Sequence, residues 1–303
     1  MMIRLKLAVI GFGTLGRACA EAILCTDDLA LAGIVRRRDS VDAPLPDAVS
    51  RVPAVSNILD LGVVDAALVC IPAEHVQGTA HDLLQHKVPV VECAQLHRGA
   101  FARHKAAIDK LAERYRTTAV VGAVWDPGML SLFRLLFALL TPKGDTKVHD
   151  RPGVSLHHSL TARAVDGVKD ALCTELRRSN GAMQRYVYVE LEDGADADLV
   201  GENIRGEPLF LDEETFVFPV DSLDTLEDEG HGMVMERWGS SGQTGHQLLL
   251  MEARFDIHVF AAQSMIAAAR ALPKLEPGAH SLLDVAPGAL WGPEREREEV
   301  RWM

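Results

Sequence analysis

Gly11, Gly13 and Gly16 fall in the spacing G-x-G-x-x-G, directly after the apolar run Leu5-Lys-Leu-Ala-Val-Ile10 and directly before a helical stretch from Arg17 to about Leu24. That arrangement suits a pyrophosphate. The first glycine makes the tight turn, and the second lets the backbone approach the ligand. The third lets the helix pack on the strand, which leaves the helix N-terminus and its open N–H groups facing the anion. Glycine turns are common, so the hexapeptide gains its weight from its context, a strand–helix–strand unit of about thirty residues. At the end of the second strand an NAD site has an acid for the ribose hydroxyl. This chain has Arg36-Arg37-Arg38 there, with no acid before Asp39. Guanidinium groups grip a 2′-phosphate in a fork, and a carboxylate would repel it. The reading is an NADP site; the competing reading is a solvated basic loop.

Other reactive side chains are scattered. Cys19, Cys25, Cys70, Cys93 and Cys173 are odd in number and never form a C-x-x-C pair, which reads as reduced thiols in a cytoplasmic protein. His157 and His158 are adjacent, so they point apart, and no Cys or carboxylate stands at a zinc-like interval. No metal is expected. Asp126-Pro127 has the form of a helix opening.

The elements that must position these groups change character along the chain. Leu29–Val35, Asp65–Ile71, Val88–Val91 and Ala119–Val124 are near-continuous apolar runs, separated by the helical stretches His75–His86 and Phe101–Arg116. Such runs belong to a parallel sheet covered on both faces, a doubly wound Rossmann-type α/β domain over residues 1–125. Beyond Trp125 the runs Arg185–Leu191, Thr215–Val220, Gly232–Trp238 and His246–Asp256 alternate or are β-rich, separated by turns such as Gly239-Ser-Ser-Gly242. They predict a second, α+β domain on an open antiparallel sheet over residues 126–274. An alanine-rich helix from Phe260 to Leu272 stops at Pro273, and residues 275–303 are expected to pack back on the first domain. The tail Glu294–Glu299 reads as a solvated helical face.

Composition narrows the classes. With 303 residues, 48% hydrophobic and 24% charged, the chain has the make-up of two globular domains. A formal net charge of −12 disfavours nucleic acid or an anionic membrane as partner. The densest apolar run, Met129–Leu140, is interrupted by Arg134 and is too short to span a bilayer. Arg4 and Lys6 precede a short apolar run with no small-residue cleavage site after it, which reads as a first strand and not a signal peptide.

Several longer stretches together resemble the meso-diaminopimelate dehydrogenase family, NADP-dependent amino-acid dehydrogenases. They are Gly11-Phe-Gly-Thr-Leu-Gly-Arg17, the arginines after the second strand, Cys70-Ile-Pro72 and Trp125-Asp-Pro-Gly128. Further along come Pro152–Ser159, Gly167–Leu172, Arg185–Leu191 and Gly230-His-Gly-Met-Val-Met-Glu-Arg237. The W-D-P-G and G-H-G-x-V-M-E-R stretches are far more specific than the glycine turn. The resemblance implies oxidation of a D-configured amino centre to an imine, release of ammonia and a keto acid, and the reverse reductive amination. It also implies a cytoplasmic homodimer that joins through the antiparallel domain and works in lysine biosynthesis, with domain closure over the substrate.

Carried over residue by residue, the resemblance assigns cofactor contacts to Gly11, Gly13, Thr14, Leu15, Gly16, Arg36, Arg37, Cys70, Ile71 and Pro72. Asp126 and Gln95 take the catalytic positions near the reacting amine. Trp125, Leu156, His157, Glu175, Arg185 and His231 take the substrate-binding positions, with Arg185 and His231 at the distal carboxylate. On pattern alone Asp126 equally caps a helix, and Arg185 and His231 equally serve structure. The departures from the family pattern lie in the substrate pocket. The segment V-D-S/T-Y-D-x-H appears as Val91-Glu-Cys-Ala-Gln-Leu-His97, so a second acid has become the neutral Gln95. A pocket glycine has become His157, a threonine aligns with Glu175 (Thr174 being adjacent), and an asparagine aligns near Ile257. Three functions stay open: meso-diaminopimelate as substrate, another amine or D-amino acid, and an NADP-binding protein without catalysis.

Overall fold

The structure, a computed structural model, describes residues 4–124, 129–150, 156–177, 183–211, 214–223, 231–293 and 295–302. The chain divides into two compact units, residues 1–136 with 257–303, and residues 137–256.

The first unit is built on one parallel sheet. Its strands are β1 (Leu5–Ile10), β2 (Leu29–Val35), β3 (Ala54–Val55), β4 (Ala66–Val69), β5 (Val90–Glu92), β6 (Thr118–Val120) and β13 (Gly278–His280). They lie in the order β13-β6-β5-β4-β1-β2-β3, and every neighbouring pair is parallel. The chain runs from β1 outward through β2 and β3, then restarts on the other side of β1 with β4. The carboxyl ends of β1 and β4 therefore flank the switch point where such sheets bind ligands.

Alternation along the strands loads both faces. Leu7 and Val9 of β1 and Ala66 and Leu68 of β4 join one core with Cys19, Ala20 and Ile23 of α1 (Thr14–Leu24). Met265, Ile266 and Ala268 of α7 (Ile257–Ala271) complete that layer. Ala8, Ile10, Ala67 and Val69 face the other core, with Val76 and Leu84 of α2 (Ala73–Gln85) and Ile108 and Ala112 of α3 (Arg98–Tyr115). Each fully buried large aliphatic side chain contributes about 1.5–3 kcal/mol. Small residues set the spacing of α1 and α7: α7 buries six alanines, which lets Met265 and Ile266 reach the α1 side chains. The alanine helix thus starts at Ile257 and belongs to the first unit, where the sequence alone suggested Phe260 and the second domain. The chain's last segment also lies in that unit, with β13 extending the sheet beside β6.

The second unit carries two three-stranded sheets. One is antiparallel throughout: β12 (Thr244–Phe255), β11 (His231–Ser241) and β7 (Lys143–Asp150). The other has the order β10 (Glu214–Val220), β9 (Met183–Leu191), β8 (Val168–Arg177). In it β8 and β9 are antiparallel, but β9 and β10 are parallel, because α6 (Ala197–Gly206) carries the chain back between them. One face of this sheet, with Ala171, Cys173, Val187 and Val189, packs on Ala162 of α5 (Leu156–Arg163) and Val200 and Ile204 of α6. The other face carries Tyr186 stacked on Phe216 at 5.4 Å and Tyr188 stacked on Phe218 at 5.6 Å. Between the units in sequence lies α4 (Leu130–Leu140), the dense apolar run; no helix among the described residues is long and apolar enough to cross a membrane.

Candidate functional site

The glycine turn shows a division of labour. Gly11 has φ +88°, and a Cβ there would lie 2.5 Å from the carbonyl oxygen of Cys70. A Cβ on Gly16 would lie 2.0 Å from the carbonyl oxygen of Gly11, so this glycine lets α1 close onto the turn. Gly13 differs from both: among the described residues, its chain neighbours aside, nothing lies within 4 Å of its Cβ position. The turn is packed from behind by its first and third glycines and open to solvent at its second, beside Thr14 at the start of α1. A bare helix N-terminus over an open glycine is a cradle that fits a dinucleotide pyrophosphate.

A cavity of about 1050 Å³ adjoins it. Of the cofactor positions named from sequence, Gly11, Gly13, Arg36, Arg37, Cys70, Ile71 and Pro72 line this one cavity. The half-buried Arg36 guanidinium sits 5.8 Å from the ring centroid of Phe12 and donates to the Ala43 carbonyl at 2.7 Å. Arg37 is 86% exposed, and its contact with Asp39 is a long 3.7 Å, which leaves it available to an anion. Ser40 and Ser56 line the cavity beside these arginines and add hydroxyl donors. Sequence reasoning missed Phe12, Ser40 and Ser56. Phe12 and Ser40 sit within the glycine and arginine motifs, but nothing in the sequence marks Ser56, which follows the two-residue strand β3.

A smaller cavity of about 350 Å³ lies at the carboxyl ends of β4, β5 and β6, lined by Leu15, Cys93, Gln95, Val124, Ile257 and His258. It brings together Leu15, named as a cofactor residue, Gln95, named as catalytic, and Ile257, near which an asparagine of the family pattern aligns. Cys93 and His258 were not anticipated. The Cys93 thiol is pushed up to about 12, mainly by burial and then by the negative charge of Glu92. The Cys70 thiol is raised well above its ordinary value, first by its hydrogen bond to Cys19, whose sulfur is 3.8 Å away, and then by burial. Neither is a thiolate nucleophile at neutral pH. Trp125 and Asp126 lie outside the described residues, one and two positions beyond Val124.

The substrate positions in the second unit resolve in part. Arg185 of β9 pairs in register with Glu175 of β8, and its Nη1 donates to Glu175 Oε2. The Arg185 side chain is 7% exposed and that of Glu175 is 35% exposed. Strand alternation puts this pair on the helix-covered face, in line with Cys173 and Val187, and puts Thr174 opposite Tyr186 on the aromatic face. The residue beside Arg185 is therefore Glu175 and not Thr174, whose buried hydroxyl has no hydrogen-bond partner among the described residues. Leu156 and His157 open α5, and His231 opens β11 opposite Phe255; their side chains are outside the description. Arg237, the last residue of the G-H-G-x-V-M-E-R stretch, is structural. It is buried and donates to the Thr141 carbonyl at 2.8 Å and to Thr146 Oγ1 at 2.7 Å, tying β11 to the start of β7.

Comparison with known proteins matches this architecture from end to end. Residues 124–257 match the diaminopimelic acid dehydrogenase C-terminal domain. A meso-diaminopimelate D-dehydrogenase of Bacteroides fragilis is 32% identical over 284 residues, covering 94% of each chain. Among solved structures, the C. glutamicum diaminopimelate dehydrogenase in complex with diaminopimelate superposes with a TM-score of 0.66 at 25% identity, covering 100% of both chains. An engineered D-amino acid dehydrogenase bound to NADP+ shares the fold with a TM-score of 0.64 at 24% identity, covering 99% of this chain and 100% of that one. With a parallel dinucleotide-binding sheet, an antiparallel second unit and this likeness along nearly its whole length, the chain belongs to the meso-diaminopimelate D-dehydrogenase family.

Proposed function

We propose that the protein is an NADP-dependent amino-acid dehydrogenase that oxidatively deaminates a D-configured amino centre, with meso-diaminopimelate as substrate, and runs the reaction in reverse as reductive amination. The observation that carries this reading is the open Gly13 cradle with Arg36 and Arg37 on the same cavity. Membership of the family supplies the substrate class.

NADP, when bound, supplies the acceptor for the hydrogen and electron pair that leave the substrate carbon. The chain's own groups do the rest. The α1 N-terminus and Gly13 hold the pyrophosphate, and Arg36 and Arg37 hold the 2′-phosphate. Thr14, Leu15, Ile71 and Pro72 frame the remainder of the cofactor. Asp126 holds the substrate ammonium and takes its proton as the carbon–nitrogen double bond forms. Gln95 offers an amide oxygen to the same nitrogen; it orients the amine but takes no proton. Trp125, Leu156, His157, Glu175, Arg185 and His231 take the substrate-binding positions in this reading.

The unit formed by residues 1–136 and 257–303 is the dinucleotide-binding domain in this reading, and residues 137–256 bind substrate and form a homodimer. Exposed Phe216, Phe218, Trp238 and Leu248 in the second unit support self-association. Five scattered cysteines with no C-x-x-C pair support a reducing, cytoplasmic setting, and a diaminopimelate substrate fits lysine biosynthesis.

The Glu175–Arg185 pair favours a second reading of the substrate alone. A guanidinium already bound to a carboxylate is a poor partner for another one, and the half-exposed Glu175 suits an amine or a neutral group. NADPH formation at 340 nm with NADP+ and meso-diaminopimelate at alkaline pH tests the first reading. Turnover establishes it. Absence of turnover in protein that binds NADP+ directs the search to D-amino acids and diamines without a second carboxylate.

A further inference from the structure

Glu92 ends β5 with a fully buried side chain, and no step proposed above uses it. Its carboxylate is nevertheless the meeting point of two loops. Oε2 accepts from the Ala94 N–H. Oε1 accepts from the Gly122 N–H at 2.8 Å and lies 3.0 Å from Nε2 of the buried His104 on α3. The Glu92 backbone carbonyl accepts from the Ala123 N–H at 2.9 Å. One residue thus binds the segment that leads to Gln95 and the segment that leads to Trp125 and Asp126.

We infer that Glu92 is a positioning residue, a carboxylate staple that fixes the Cys93–Gln95 loop against the Gly122–Val124 loop. The inference rests on the proposed reaction, because the groups it places are those assigned to the reacting amine. Three observations support it. The ladder between β5 and β6 stops at Val91↔Val120, and the main-chain bond beyond it, from the Ala123 N–H, also falls on Glu92. Cys93, Gln95 and Val124, from both loops, line the same small cavity. Gly122 has φ +63°, and a Cβ there would lie 2.8 Å from the Phe101 ring, so the turn that offers its N–H to the carboxylate is closely packed and suits glycine. A buried carboxylate is costly unless its oxygens are bonded, and this one receives N–H groups from both loops. An amide cannot replace it: glutamine turns an NH2 donor toward one of the two peptide N–H groups.

The test compares Glu92→Gln with Asp28→Asn, which breaks an ion pair at the amino ends of the strands and serves as a control for lost stability. Hydrogen exchange by mass spectrometry is read on peptides covering 93–97 and 121–124, together with NADPH affinity, kcat and KM. In Glu92→Gln both peptides are expected to exchange at least about tenfold faster, with NADPH affinity retained. The kcat is expected to fall by at least about tenfold while KM holds, because misplaced groups lose the transition state. Asp28→Asn lowers Tm without either change. Unchanged exchange and kcat in Glu92→Gln, or equal changes in Asp28→Asn, overturn the inference. Should Glu92→Gln fail to fold, Glu92→Asp is read in the same way: its side chain is too short to reach both N–H groups, and unchanged exchange and kcat overturn the inference. If the parent protein turns over no amine, the proposed reaction fails, and the exchange result still decides whether the staple exists.

Discussion

Glu175 and Arg185 face each other across the antiparallel strands β8 and β9, and the buried guanidinium of Arg185 donates to the Glu175 carboxylate. The charge of Arg185 is therefore neutralised within the second unit. Replacing Glu175 with Thr takes this carboxylate away from the guanidinium and lets a ligand carboxylate compete for it. A charge-assisted contact of about 1.5–3 kcal/mol corresponds to a gain of roughly ten- to hundredfold in kcat/KM for meso-diaminopimelate over a D-amino acid with a neutral side chain. Steady-state kinetics of Glu175→Thr on the two substrates decides it; an unchanged ratio would show that the pair lies away from the substrate.

The arginines at the end of β2 are expected to choose the cofactor. Arg36 is anchored by the Ala43 carbonyl, and Arg37 projects into solvent. The double variant Arg36→Ala, Arg37→Ala is expected to bind NADP+ about 100-fold more weakly, at roughly 1.4 kcal/mol per arginine, and to leave NAD+ affinity unchanged. Equal losses for both dinucleotides, measured by fluorescence titration, would return these residues to a solvated basic loop.

Gly13→Ala and Gly16→Ala should fail in different ways. The added methyl of Gly13→Ala enters open space, so Tm stays within about 1 °C of the parent while dinucleotide affinity falls, since a surface change touches no packed atom. The methyl of Gly16→Ala meets the Gly11 carbonyl, so helix and turn must separate and Tm itself falls. Thermal melts with and without NADPH separate the two cases.

Much of this was legible from sequence. The parallel sheet was, because strands buried on both faces are apolar throughout: β2 runs from Leu29 to Val35 as read. The strand–turn–helix around Gly11, Gly13 and Gly16 was also legible, since its glycines follow one another within six positions. Other features depend on tertiary pairing. β3 and β13 are two and three residues long and carry no periodicity; they are strands because β2 and β6 present open edges to them. The parallel pairing of β9 and β10 follows from α6, which interrupts what reads as a simple antiparallel series. Gln95 and His258 share a cavity although more than half the chain separates them, and no local pattern encodes that meeting.

Asp28 and Arg270 give the fold a pH-dependent contact. Arg270 Nε and Nη2 reach the two Asp28 oxygens at 2.7 and 3.0 Å, and this side-chain hydrogen bond holds the Asp28 carboxyl below its ordinary 3.8. The folded state therefore binds the proton less readily than the unfolded state. The contribution is present above the unfolded value and disappears as pH falls through the folded one. Asp28→Asn is expected to cost about 1–2 kcal/mol at pH 7, and the difference from the parent is expected to shrink at an acid pH below 3.8. Urea unfolding at both pH values measures it, and a difference that persists at acid pH would assign the loss to something other than charge.

The helix α7 gives the chain a particular order of assembly. It lines the back of α1, the helix that bears the dinucleotide cradle, yet it comes after the whole of residues 137–256. On a ribosome, the first 136 residues emerge with one side of their sheet still lacking the Met265 and Ile266 layer and the β13 edge. The inserted unit, contiguous in sequence, has its partners at hand and is free to fold first, while the nucleotide-binding half waits for the final stretch of the chain. Nascent protein therefore completes the unit that bears the glycine turn last, only after residues 137–256 have been made.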